Sequence, residues 1–313
     1  MGKKLGIIGK NNDKGLGTLT RDFIKHLNIE TRIFIEDKRT KKDIKGIYTH
    51  NPDHFIDDLD VDTLFIQEMP VYNVFQKCRE KGIKTILCVN YEFLPEKMKV
   101  EPDLYQCSSS LNYNSVNSPN KVLLPYPVDL DGITPKIRSK CHVFVHNAGT
   151  LGMGGANGTM ELIDALKHTN KPFKMIIRSQ VPIECNDPRV DLRIGSFPKE
   201  ELFLEGDVFV LPQKFRATSL PIQEAMASGM PVLTSNIQPF NEFVNFTFEV
   251  NGFKNDRLVR PIKVAQLDPK KIAKALDDLY DKNIEEESKK AIEYGKDISW
   301  NNLKDKYLKL CYN

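Results

Sequence analysis

Two stretches of this chain bring together residue types suited to holding a phosphorylated ligand. The first, HNAGTLGMGGANGT at 146–159, sets Gly149, Gly152, Gly154, Gly155 and Gly158 just ahead of Thr159. Glycines let a backbone turn tightly, and the peptide N–H groups of such a loop and of the helix start behind it form a cradle for phosphate. The second, DVFVLPQKFRATSLPIQEAMASGMPVLTS at 207–235, sets a polar loop with Lys214 and Arg216 between an apolar run and a helix start. Ser219 reads as the helix cap, Pro221 lies in the first turn, Ile222, Ala225 and Met226 share one face, and Gly229 ends the helix. A strand, a loop and a helix N-terminus make an anion site at the strand's carboxyl end. His146 closes the apolar run ahead of the glycines, where it either reaches the ligand or serves as a satisfied structural residue.

A third candidate, GKNNDKGLG at 9–17, carries Gly15 and Gly17, which let the backbone pass close to a ligand or form an ordinary strand–helix turn. Its spacing is not the G-x-G-x-x-G of a dinucleotide site, so a Rossmann dehydrogenase is a minor alternative. Glu68, Asn90, Tyr91 and Glu92 follow apolar runs at 63–67 and 85–89. Glu92 reads equally as a site residue and as a loop ion pair or cap. His142 and His146 have metal spacing only on a helix, and this stretch reads as strand, so no metal is expected.

The elements that must position these residues alternate. Strands are expected at 5–8, 31–35, 63–67, 85–89, 104–108 and 121–124, with helices at 18–27, 52–59 and 74–81. In the second half, strands are expected at 141–145, 173–177, 190–194, 208–211 and 232–234, followed by a short helix from Asn241 and a late strand and turn at 249–253. Helices follow at 269–280, 284–294 and 300–310. Strand–helix alternation implies parallel sheets with helices on both faces, and ligands collect beyond the strands' carboxyl ends. Pro125, Pro127, Gly132 and Pro135 punctuate a linker. The fold class expected is α/β, with two Rossmann-like β/α/β domains facing a central cleft. The divisions expected are 1–136, a first domain, 137–296, a second, and 297–313, a helix returning to the first domain.

A chain of 313 residues suits two cores. A net charge of +3 permits an anionic partner without demanding one. The six cysteines include no C-x-x-C pair, which favours reduced core thiols over disulfides or zinc. No apolar stretch approaches the length of a membrane span, so a soluble cytoplasmic protein is expected.

LPIQEAMASGMPVLTS at 220–235 resembles the donor signature E-A-x-A-x-G-x-P-V of GT-B glycosyltransferases of the retaining Glu-x7-Glu type, in a phage- and bacterial-like subset. The resemblance implies that Glu224 holds the ribose of a nucleotide. It also implies donor contacts from Gly149, Gly155, Gly158, Thr159, Thr218, Ser219 and Leu220, with Gly15 and Gly17 near the donor phosphates. Backbone around Gly195, Ser196 and Phe197 would meet the base. The family's first glutamate falls at Arg216, a departure at the sugar end. The glycine loop lacks the family's Arg and Lys, so either backbone dipoles neutralise the leaving group or Arg178, Lys214 and Arg216 supply charge from neighbouring loops. The catalytic set implied is Arg216, Lys214, His146 and Glu92.

The activity implied is sugar transfer from a nucleotide-diphosphate donor, a UDP-sugar first, to an acceptor hydroxyl with retention. No permanently bound cofactor is expected. The acceptor considered first is a hydroxymethylated pyrimidine in phage DNA, with Lys10, Lys14, Lys97 and Lys99 as basic candidates. Glycan and lipid acceptors stay open, as does a non-catalytic nucleotide-sugar-binding protein.

Overall fold

The computed structural model describes residues 3–312. They divide into two units: the first takes the chain through Asp129 with Leu258–Arg260 and Trp300 onward, the second Leu130–Arg257 and Pro261–Ser299. The first division therefore falls earlier than position 136, and Arg138 supplies a physical reason. Its buried guanidinium donates to the carbonyls of Lys136, Phe203 and Ser228, all in the second unit, and Lys136 donates its N–H to Ser228 at 3.0 Å.

The first unit runs β1 (Leu5–Gly9), α1 (Gly15–Leu27), β2 (Thr31–Ile35), β3 (Ile47–Thr49), β4 (Thr63–Glu68), α2 (Tyr72–Lys81), β5 (Lys84–Val89), β6 (Leu104–Cys107), α3 (Ser110–Ser115) and β7 (Lys121–Leu123). Its sheet is parallel in the order β3-β2-β1-β4-β5-β6-β7, so the winding reverses between β1 and β4. Helix α1 starts at Gly15, not Thr18, its first turn closed by the Thr18 N–H donating to the Lys14 carbonyl at 2.9 Å, and Gly17 lies so near the preceding loop that a Cβ there would stand 2.0 Å from the Asn12 carbonyl oxygen. Lacking a side chain, Gly17 accommodates the chain's own backbone.

In the second unit come β8 (Val143–Gly149), α4 (Thr159–Ala165), β9 (Lys174–Ser179), β10 (Val190–Ile194), α5 (Lys199–Leu202), β11 (Val208–Val210), α6 (Leu220–Ala227), β12 (Val232–Ser235), β13 (Phe246–Phe248), β14 (Phe253–Arg257), β15 (Pro261–Ala265), α7 (Pro269–Leu279) and α8 (Glu285–Asp297). The sheet order β10-β9-β8-β11-β12-β13 is again parallel and reverses between β8 and β11. Alternate strand residues serve opposite faces: Phe144, Val208 and Val210 pack with Leu162 and Leu276, whereas Val145, Phe209 and Leu211 pack with Ile222, Met226 and Ala291. This is the α/β architecture of two Rossmann-like domains.

Where a late strand and turn are expected at 249–253, residues 249–252 connect β13 to β14, and an antiparallel hairpin follows, β14–β15, paired from Phe253↔Ala265 to Arg257↔Pro261. The last helix, α9 (Trp300–Tyr312), belongs to the first unit, where Trp300 stacks on His26 at 4.8 Å and meets Phe23 edge-on at 5.2 Å. All six cysteines are free, and only Cys185 among them is not buried. Among the described residues no helix is long and apolar enough to cross a membrane, and no cluster of His, Cys, Asp or Glu is gathered to hold a metal.

Candidate functional site

The reversal between β8 and β11 splays their following loops apart at the carboxyl edge, the position where open α/β sheets take ligands. From β8 comes the glycine loop. Gly158, the residue before α4, has φ +61°, and a Cβ there would stand 2.2 Å from the Pro212 carbonyl oxygen. Only glycine allows that approach of the two loops. Lys214 then donates its N–H to the Ala156 carbonyl at 2.9 Å, joining the loops directly.

The Lys214 ammonium lies 2.6 Å from a Glu161 carboxylate oxygen in the first turn of α4, and 3.7 Å from where a Gly155 Cβ would stand. A positive charge therefore reaches the glycine loop from outside it. Gly149 and Gly155 both adopt positive φ, +55° and +68°.

Beneath the loop, His146 is fully buried. Its Nδ1 lies 2.8 Å from the Val210 carbonyl oxygen and its Nε2 2.8 Å from the Thr159 hydroxyl. A carbonyl only accepts, so Nδ1 carries the proton and Thr159 donates to Nε2. Burial holds the imidazole pKa down to about 4, against a smaller opposing effect of the Val210 carbonyl. The expectation that His146 reaches a ligand is corrected: both ring nitrogens are committed, and the side chain ties β8, β11 and the start of α4 together.

Arg178 also departs from expectation, because it is a residue of β9 rather than of a loop. Its buried guanidinium donates to the Leu202 carbonyl at 3.2 Å and to Glu205 at 3.3 Å, and lies 5.9 Å from the Phe197 ring centre. Its Nε has no hydrogen-bond partner among the described residues. Gly195, exposed Ser196 and half-buried Phe197 form the short loop from β10 to α5.

On α6, the Glu224 side chain is only 13% exposed, and its Oε1 lies 3.5 Å from Lys199 Nζ on α5. The sequence reading missed Lys199; its place in PKEEL, on an exposed stretch before the next strand, distinguishes it from no other surface lysine. Ser219 occupies the cap position, but its side chain makes no cap hydrogen bond; its carbonyl accepts from Ile222 and Gln223. Half-buried Thr218 and Leu220 flank it, and the Arg216 guanidinium lies 5.2 Å from the Phe215 ring centre. At the other end, Gly229 takes φ +78° while Met230 donates to the Ala225 carbonyl, a glycine-terminated helix.

Gly15, Gly17 and Glu92 belong to the first unit. Both glycines lie in the opening turn of α1. Glu92 is fully buried in a single turn, Tyr91–Phe93, that Asn112 pins by accepting from the Tyr91 N–H at 2.8 Å and donating to the Val89 carbonyl at 2.9 Å. Glu68 closes β4 with φ +63°, uncommon for a residue with a side chain and placed beside the β1/β4 reversal. A cavity of about 660 Å³ lies elsewhere, at the amino ends of β5–β7 against Leu310.

Comparison with known proteins follows the same outline. The sequence model of a family described as glycosyl transferases group 1 matches residues 184–282. No curated protein matches. Among solved structures, the chain resembles Anabaena HepE in complex with UDP, with a TM-score of 0.72 and 11% identity over 98% of this chain and 99% of that one. It also resembles the catalytic domain of starch synthase IV from Arabidopsis thaliana bound to ADP and acarbose, with a TM-score of 0.68 and 11% identity over 100% and 99% of the chains. Sucrose-phosphate synthase from Thermosynechococcus elongatus gives a TM-score of 0.63 and 13% identity over 98% of each chain. These likenesses establish the GT-B fold.

Proposed function

We propose that the protein transfers a sugar from a nucleotide-diphosphate donor to an acceptor hydroxyl. The observation that carries this reading is the placement of Lys214, itself inside the stretch matched by the family model, over the glycine loop at the β8/β11 reversal. Breaking the bond between the anomeric carbon and the diphosphate leaves its electron pair on a phosphate oxygen. Backbone N–H groups of the glycine loop and the first turn of α4, with the Lys214 ammonium, stabilise that charge where it develops.

Glu224 accepts hydrogen bonds from the ribose hydroxyls, and the base lies against the loop of Ser196 and Phe197, beside Arg178. Arg216, with Thr218, Ser219 and Leu220, borders the sugar. The acceptor oxygen attacks on the face that the diphosphate leaves, and its proton passes to the departing phosphate, giving retention. UDP is the nucleotide to test first, because HepE is solved with UDP and with UDP-glucose.

The test is a donor panel of UDP-, GDP- and ADP-sugars with mass spectrometry of products. The expected result is release of nucleoside diphosphate with one of them, and its loss in Glu224→Ala. Absence of binding to every nucleotide sugar rejects the proposal; binding without turnover across a broad acceptor set identifies a non-catalytic binder. Glycans, lipids and hydroxymethylated duplex DNA form the acceptor arms. No observation raises DNA above the others: the Lys10 ammonium already lies 2.7 Å from Asp37.

A further inference from the structure

We infer that Lys199 is a positioning residue for Glu224, setting how the site distinguishes ribose from deoxyribose; the inference rests on the reading of Glu224 given above. The two residues are brought together by the fold, with Nζ 3.5 Å from Oε1 and side-chain exposures of 24% and 13%. An ion pair in open solvent contributes little, but this one is largely sheltered from water.

Its lysine is also unusually well anchored for a helix as short as α5, which one turn of hydrogen bonds cannot hold by itself. Three side chains donate to the carbonyls at its end: Arg178 to Leu202 at 3.2 Å, Asn147 to Leu202 at 3.3 Å and Arg138 to Phe203 at 2.9 Å. Arg138 also binds the Ser228 carbonyl just beyond α6. One buried guanidinium thus ties the helix bearing Lys199 to the helix bearing Glu224. The backbones that carry the ammonium and the carboxylate are thereby held together.

A carboxylate has about four acceptor positions on its two oxygens, so it can pair with an ammonium and accept from hydroxyls as well. An ionised carboxylate only accepts hydrogen bonds, which suits it to the hydroxyl groups of a ribose. With Lys199 fixing its orientation, Glu224 presents its carboxylate in one direction. The ribose 2′-hydroxyl is the group whose loss this arrangement registers.

The experiment measures binding of UDP, GDP and ADP, each beside its 2′-deoxy counterpart, by calorimetry. Wild type should prefer the ribonucleotide by about tenfold or more, as a hydrogen bond to a charged acceptor implies. Lys199→Met should bring that ratio close to one while leaving affinity for the deoxynucleotide within about twofold, and Lys199→Arg should restore most of the preference. Adding Lys199→Met to Glu224→Gln should change the ratio no further. A preference kept in Lys199→Met but lost in Glu224→Gln overturns the inference and leaves the reading of Glu224 standing. An equal loss of both nucleotides in Lys199→Met, without rescue by Lys199→Arg, also overturns it, marking a structural lysine. Wild type without any preference, or without any binding, overturns both.

Discussion

With its Nδ1 proton committed to the Val210 carbonyl, His146 can gain a second proton only by losing the hydrogen bond that Thr159 donates. Its pKa is about 4 in the folded protein and near 6.5 in an unfolded chain, so the unfolded state takes up the proton first on acidification. The stabilisation is full above about pH 6.5 and is lost as pH falls towards 4, amounting to about 3 kcal/mol at most. Nitrogen NMR of the imidazole should show the neutral Nδ1–H form still dominant at pH 5, and a His146→Leu variant should lose this part of the acid sensitivity. Lys214 lies above the same loop and answers to a different measurement. If it stabilises the departing diphosphate, Lys214→Met should lower kcat/KM by about a hundredfold with the thermal transition little changed.

At the scale of elements, the site depends on how closely neighbouring loops approach. Gly158→Ala would set a methyl 2.2 Å from the Pro212 carbonyl, in a left-handed backbone that alanine resists. The β8 and β11 loops must then part, with an expected cost of about 2 kcal/mol in denaturant unfolding and loss of nucleotide binding. Gly17→Ala meets the Asn12 backbone at 2.0 Å and should be similarly costly, but in the first unit, separating packing from donor contact. Helix α5 depends on its fastening. Arg138→Met removes donors from the carbonyls of Lys136, Phe203 and Ser228, with an expected destabilisation of about 3 kcal/mol seen in urea midpoints.

For the whole molecule, Trp300 is the sole tryptophan and lies buried among His26, Phe23 and Tyr307 in the first unit. Its emission should be blue-shifted in the native protein and report the unfolding of that unit, while far-ultraviolet dichroism reports both. Thiol chemistry gives a second global readout. Burial pushes the Cys78 and Cys107 thiols up to about 12 and Cys311 to about 11, whereas Cys185 is half-buried. In native protein one thiol, Cys185, should react quickly with Ellman's reagent and the others only on unfolding.

Local spacing decided much before any folding was considered. Apolar runs separated by glycine and proline specify strands and turns within a few neighbouring residues, so the alternation of the sheets, the glycine loop before Thr159 and the glycine end of α6 were legible in the sequence. The β14–β15 hairpin was not, because all five residues of β14 are exposed and show none of the alternation that marks a half-buried strand. Nor does order along the chain say that Lys199 meets Glu224, that Lys214 crosses to the loop ahead of α4, or that both nitrogens of His146 are taken. Those pairings arise because β11 enters the sheet beside β8. That adjacency reflects burial of both sheet faces, and only the folded chain brings such distant residues within hydrogen-bonding reach.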